Sequence, residues 1–150
     1  MRHGMIRAWI LAFGLGVGLL SSGCFVDIVR EEHKEDLLNP SKQWYVYKIT
    51  LENGEEIAPK WENAKSSLSF ETNENRIFGV SACNNYFATF ALKGKKLSVS
   101  NSGWSRRICH PEESMMYEYL FIKNLVGEFE VRLEGEEMRL VGSHAVYYLR

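Results

Sequence analysis

A mainly β domain, in which a small antiparallel sheet curls into a barrel and carries one helix, is the fold this sequence predicts. Three observations point to it. From Trp44 onward the chain holds some eight short runs rich in aromatic and β-branched residues. Turn signals built on Gly, Asn and Asp-like polar residues separate most of these runs. Only Pro111 to Gly127 has helical spacing instead of alternation. Many short strands and a single helix fit a closed or curled sheet with the helix over an end or a face.

The elements begin with a leader. Arg2, His3 and Arg7 form a basic start, and Ala8 to Leu20 form an apolar run of secretory-signal length. That run is short of the roughly 20 apolar residues a membrane-spanning helix needs. It ends in Leu19-Leu20-Ser21-Ser22-Gly23-Cys24, where small residues precede a cysteine as a lipoprotein signal peptidase requires. The expectation is cleavage before Cys24 and acylation of its thiol, so that residues 1–23 are a signal peptide. Residues 24–43 then form a lipidated, charged tether that includes Arg30 to Asp36 and Asn39-Pro40-Ser41. Its Phe25 to Lys42 stretch would span about 60 Å if fully extended. Phe25 stands where aspartate is the usual inner-membrane retention signal, which places the protein on the outer membrane, facing the periplasm.

Charge restricts the partners. Without Arg2 and Arg7, 16 of the 18 basic residues remain against 19 acidic ones. This balance carries no electrostatic footprint for nucleic acid. It also lacks a polybasic stripe for anionic lipid. Membrane contact is therefore expected through the lipid on Cys24, with each buried methylene adding about 0.8 kcal/mol.

Residues 44–150 form the domain. Trp44 to Leu51 reads as a strand stopped by Asn53-Gly54, with Tyr45, Tyr47, Ile49 and Leu51 on one face. Ser67–Glu71 and Arg76–Ser81 form a hairpin around Thr72 to Asn75. Tyr86–Leu92 and Leu97–Ser100 form another across Lys93-Gly94-Lys95. A C-terminal meander comprises Glu128–Leu133, Met138–Val141 and Ala145–Leu149, turning at Glu134-Gly135 and Gly142-Ser143. In the helix, Pro111 suits the first turn, Glu112 and Glu113 suit the positive end of the dipole, and Gly127 suits the stop. Met115, Tyr119, Ile122 and Val126, flanked by Met116 and Leu120, read as its core stripe, with the methionines as core filler.

With Cys24 committed to lipid, Cys83 and Cys109 remain. In an oxidising compartment an even remainder points to a disulfide. Two buried free thiols and a redox pair are the alternatives, although no Cys-x-x-Cys spacing supports redox work.

Catalytic patterns are scarce. Gly79-Val80-Ser81-Ala82-Cys83 lacks the closing glycine of a nucleophile elbow, and more strand follows it in place of a helix. His33 lies in the tether, and His110 and His144 are isolated, so no histidine set suits a metal. The adjacent pairs Glu112-Glu113 and Glu136-Glu137 read as solvated faces, and there is no glycine-rich phosphate loop. No cofactor is expected. Asn84-Asn85 reads as a turn or bulge beside the cysteines. Its functional alternative is a polar ligand contact at a barrel mouth, together with Trp104 and Arg106. Pairing of Arg106 with Glu118, locking helix to sheet, is a structural alternative for that arginine.

Three stretches carry a family resemblance. Gly79-Val80-Ser81-Ala82-Cys83-Asn84-Asn85-Tyr86 is close to a G-x-x-x-C-N-x-[YF] signature. Ser105-Arg106-Arg107-Ile108-Cys109 stands where T-R-M-x-C is typical. Met115, Glu118, Leu120 and Leu125 follow in a helix of the expected kind. With the strands at either end, Trp44 to Arg150 resembles the META domain of the HslJ-like lipoproteins. Ser105 for threonine, Arg107 for methionine and Ala88 for glycine are departures. The resemblance implies a barrel-like domain with one helix and pairing of Cys83 with Cys109. It implies no reaction, and it links the chain loosely to heat shock, envelope integrity and novobiocin resistance.

The expected function is that of a non-enzymatic, monomeric envelope lipoprotein that works through contacts with an envelope protein partner. The alternative is a binder of a small hydrophobic ligand in a barrel cavity lined by aromatics such as Trp44, Phe70, Phe78, Tyr86 and Phe90.

Overall fold

The computed structural model describes residues 38–61 and 64–150. The signal peptide, Cys24 and most of the tether lie outside the described residues. Nine strands follow in chain order: β1 (Trp44–Leu51), β2 (Glu56–Ile57), β3 (Ser67–Glu71), β4 (Arg76–Val80), β5 (Asn85–Lys93), β6 (Lys96–Trp104), then β7 (Gly127–Glu134), β8 (Glu137–Gly142) and β9 (Ala145–Leu149). Helix α1 (Glu112–Leu125) connects β6 to β7 and is the one helix of four or more residues among the described residues. Every strand pairing is antiparallel, and β1 pairs with both β3 and β9. Eight strands thus close a barrel, with no free edge running its length, and β2 adds a two-residue ladder to β1 at Ile49 and Thr50. The expected fold class is what the chain adopts.

Turn chemistry sets the hairpins. Gly54, Gly94 and Gly135 all sit at positive φ in the tight connections that their dipeptides mark. Gly127 stands at φ 145° between helix and strand, a conformation that side chains resist, so the chain leaves α1 and enters β7 there.

Two expectations about side-chain direction are corrected. In β1 the inward residues are Trp44, Val46 and Ile49, while Tyr45 is exposed and Tyr47 meets Tyr148 on the outside. The cause is a register shift between Val46 and Lys48, an irregularity that reverses the alternation from that point on. In α1 the buried stripe is Ser114, Tyr117, Glu118, Phe121, Ile122 and Leu125. Met115, Met116, Tyr119 and Val126 are exposed, Met116 by 61%, so the methionines are not core filler. Two of the buried helical positions are polar, and that hides the true stripe from a search for apolar spacing.

The described residues build one continuous apolar core. Trp44, Ile49, Leu68, Phe70, Ile77, Leu97, Met138, Leu140 and Leu149 are almost wholly buried within the wall. Phe121 of the helix meets Tyr86 and Tyr147 edge-on, at ring separations of 5.1 and 5.4 Å. Three tyrosine hydroxyls add directed ties. Tyr147 donates to the Phe121 carbonyl at 2.6 Å, Tyr117 to Ser66 Oγ at 2.8 Å and Tyr86 to the Ser67 carbonyl at 2.9 Å. Burial pushes all three phenols well above the ordinary tyrosine range. Leu38 and Trp61, outside the strands, pack partly against this core.

Candidate functional site

The motif residues meet at one place, where the β4–β5 turn, the segment after β6 and helix α1 come together. Cys83 and Cys109 form the disulfide, with Cα atoms 5.8 Å apart. Asn84, between them in space, is 0% exposed. Its Oδ1 accepts from Ser105 Oγ at 2.8 Å and from the Arg107 backbone N–H at 2.9 Å. Its Nδ2 donates to the Arg107 carbonyl at 2.9 Å and to Glu118 Oε1 at 2.8 Å, and lies 3.4 Å from Cys109 Sγ. An amide has four hydrogen-bonding positions, and these contacts use its full capacity.

Glu118 is the helix's share of the junction, 5% exposed and on the stripe that faces the sheet. Ser81 Oγ donates to its Oε2 at 2.8 Å, and the Asn84 backbone N–H does so at 3.3 Å. All of these donors are neutral, and among the described residues Glu118 makes no ion pair. Hydrogen bonds alone therefore hold a buried carboxylate against the cost of losing water.

The remaining motif positions have equally physical reasons. A Cβ on Gly79 would overlap the Ser67 carbonyl, the group that also accepts the Tyr86 hydroxyl. Ser105 uses the hydroxyl that threonine would share, so that departure keeps the bond. Arg107 meets Asn84 through its backbone, so methionine and arginine are interchangeable in that contact. Met115 Sδ accepts the Cys109 N–H at 3.1 Å.

The ligand-surface candidates divide. Asn84 faces inward and is saturated. Asn85, Trp104 and Arg106 are exposed, with the Arg106 guanidinium 5.4 Å from the centre of the Trp104 ring. Arg106 therefore does not pair with Glu118, which corrects the structural alternative. Backbone geometry decides this, because Ser105 and Arg107 turn toward Asn84 and leave Arg106 pointing outward. Ser81 sits in an antiparallel hairpin turn with its hydroxyl spent on Glu118, which is not the strand-to-helix corner of a nucleophile elbow. His144 pairs with Glu52 on the surface at 3.0 Å.

The sequence reading singled out Glu118 as a lock between helix and sheet but missed its donors Asn84 and Ser81, and it missed the outward row of apolar side chains. Phe78 and Phe87 face each other across β4 and β5, both exposed, and the Phe87 ring lies over Gly103. Simple alternation from the buried Ile77, Tyr86 and Ala88 assigns both phenylalanines to the outside, so that signal was available. Three surface depressions lined by described residues are open to solvent: one by Lys93 to Lys96 and β7, one by Glu112, Glu113, Met115, Met116 and Tyr119, one around His144 and Lys123.

Comparison with known proteins gives a family. A family model described as the META domain matches residues 36–150. A protein from Burkholderia xenovorans solved by NMR is similar at 22% identity, with a TM-score of 0.61 over 78% of this chain and 85% of that one. A second NMR structure is similar at 19% identity, with a TM-score of 0.52 over 76% and 91% of the two chains. These likenesses concern the fold. Among curated proteins, none matches this chain.

Proposed function

The chain belongs to the META domain family, and from that premise we propose that it is a non-enzymatic, monomeric lipoprotein of the bacterial envelope. It is held through acylated Cys24 at the outer membrane, faces the periplasm and supports outer-membrane integrity or stress tolerance through protein contacts. The observation that carries this reading is where the chain's chemistry is spent. Motif side chains such as Cys83, Asn84, Tyr86 and Glu118 are turned inward onto one another, while apolar side chains such as Phe78, Phe87 and Met116 lie on the outside. A protein-binding domain needs apolar area outside, and a hydrophobic-ligand carrier needs it around an internal space; the exposed phenylalanines support the first reading.

Site-specific photocrosslinking in cells tests it. A crosslinker at Phe87 should capture an envelope protein, whereas one at Glu136 in the β7–β8 turn serves as the control. If neither position captures a partner, contact through this face is ruled out. Cys24→Ala should release the protein from the membrane fraction with its domain still folded. Retention of that variant through an uncleaved N-terminus would remove the lipid anchor from the reading.

A further inference from the structure

The strongest unassigned chemistry is the group formed by Cys83, Cys109 and Glu118, whose two sulfurs and a carboxylate oxygen all lie within 4.8 Å of one another. We propose that reduction of the disulfide turns this group into a binding site for one thiophilic divalent cation, zinc(II) or its analogue cadmium(II). Three features support it. The donor set, two thiolates and a carboxylate, is one that zinc accepts, with roughly 2.3 Å to sulfur and 2.0–2.2 Å to oxygen. Tetrahedral bonds of that length place the two sulfurs about 3.8 Å apart, so the sulfurs joined in the disulfide must separate on reduction, from Cα atoms that stand 5.8 Å apart. The half-buried Cys83 side leaves a way in for the ion and for a water as fourth ligand.

The second feature is an outer shell already in place. Asn84 Nδ2 donates one N–H to Glu118 Oε1 and the other to the Arg107 carbonyl, so one buried amide orients the carboxylate ligand and ties it to the segment leading to Cys109. The third is charge. Glu118 is buried with neutral donors only, and two thiolates beside it would crowd three negative charges together. A divalent cation offsets that crowding, and among the described residues no cation makes an ion pair with Glu118: Arg107 directs its guanidinium to the Cys83 carbonyl at 2.6 Å on the exposed side.

The reductant is a dithiol. It gives two electrons and two protons, the protein S–S bond breaks, two S–H bonds form and the dithiol closes to its own disulfide. Cation binding then releases both thiol protons to solvent as two metal–sulfur bonds and one metal–oxygen bond form.

The test titrates cadmium(II) into the full chain in detergent, after reduction and removal of the dithiol under argon. Thiolate-to-cadmium absorption in the ultraviolet reports binding. A Cys83→Ser, Cys109→Ser chain, which retains Cys24, sets the background. The proposal expects one ion per reduced chain, bound at least about a hundredfold more tightly than by the oxidised chain, with native near-ultraviolet dichroism from buried Trp44 and Tyr147. Glu118→Gln should weaken binding about tenfold or more. Affinity equal to that of the urea-unfolded reduced chain, no difference between oxidised and reduced chains, an unchanged affinity in Glu118→Gln, or dichroism that is not native with cadmium bound would each overturn it.

Discussion

In the barrel wall, stability is divided among many interchangeable apolar side chains, each contributing about 1.5–3 kcal/mol by burial. At the junction that seats α1 on the barrel, it rests on a disulfide, one buried amide and one buried carboxylate. Both regions are buried at their centres but fail differently. Loss of a methylene from the wall leaves a small void that neighbours partly fill. Loss of the Asn84 side chain at the junction removes hydrogen bonds from the helix and from the segment after β6 at once. A pattern of residue sizes can specify the wall, whereas only named residues can specify the junction.

The largest expected effect breaks the junction. Asn84→Ala takes the Nδ2 donor from Glu118 Oε1 and the side-chain partner from the Arg107 backbone and Ser105, and should cost about 3–5 kcal/mol in a urea unfolding titration. A loss below about 1 kcal/mol would mean the network is dispensable and the contrast unfounded. Opening the disulfide by Cys83→Ser with Cys109→Ser follows closely. Its loop of 26 residues gives about 3.5 kcal/mol on the chain-entropy estimate. Combined with Asn84→Ala, this change should cost less than the sum of the two, because the same junction is lost both times.

The phenols join the two regions, and pH reads them. Tyr86, Tyr117 and Tyr147 have hydroxyls held protonated beyond the usual range by burial. Their folded-state pKa is raised, so their contribution is fully present below about pH 10 and is lost as pH rises above that value. Stability should fall by about 1.4 kcal/mol per pH unit for each tyrosine in that window. Tyr117→Phe should make the fall shallower by one such step. A flat profile between pH 10 and 11.5 would show that the phenols ionise without unfolding the barrel. In the wall itself, Ile77→Val should cost only about 1 kcal/mol.

The same contrast decides what was legible in the sequence. Alternation and turn dipeptides mark the wall strands, and Pro111 and Gly127 bracket the helix. Closure of the barrel through β1 and β9 is non-local and leaves no local signal. The bulge in β1 moves Ile49 inward together with Val46, which a rigid period of two cannot express. β6 continues past Ser100 to Trp104, through Asn101 at φ 51°, a kink that reads as the end of a strand. At the junction the cysteines, Asn84 and Glu118 stood out as motif residues, but the sequence offered Arg106 as the partner of Glu118 and carried no sign of Asn84 and Ser81 in that role. The burial of Glu118 depends on donors from 34 and 37 residues away.

The smallest expected effect tests where the junction stops. Ser105 and Arg107 both bond Asn84, yet Arg106 between them is exposed and stacks on Trp104. If neutral donors alone satisfy Glu118, Arg106→Ala removes only an exposed cation–π contact and should shift stability by less than about 1 kcal/mol. Near-ultraviolet dichroism should stay native, since no buried aromatic changes its surroundings. A loss of about 3 kcal/mol or more would instead place a charge pair with Glu118 inside the junction. The buried carboxylate would then owe its stability to a cation, and the contrast between a directional neutral network and a size-specified wall would fail. The boundary would also move, because a residue now free to meet a partner at the surface would belong to the fold.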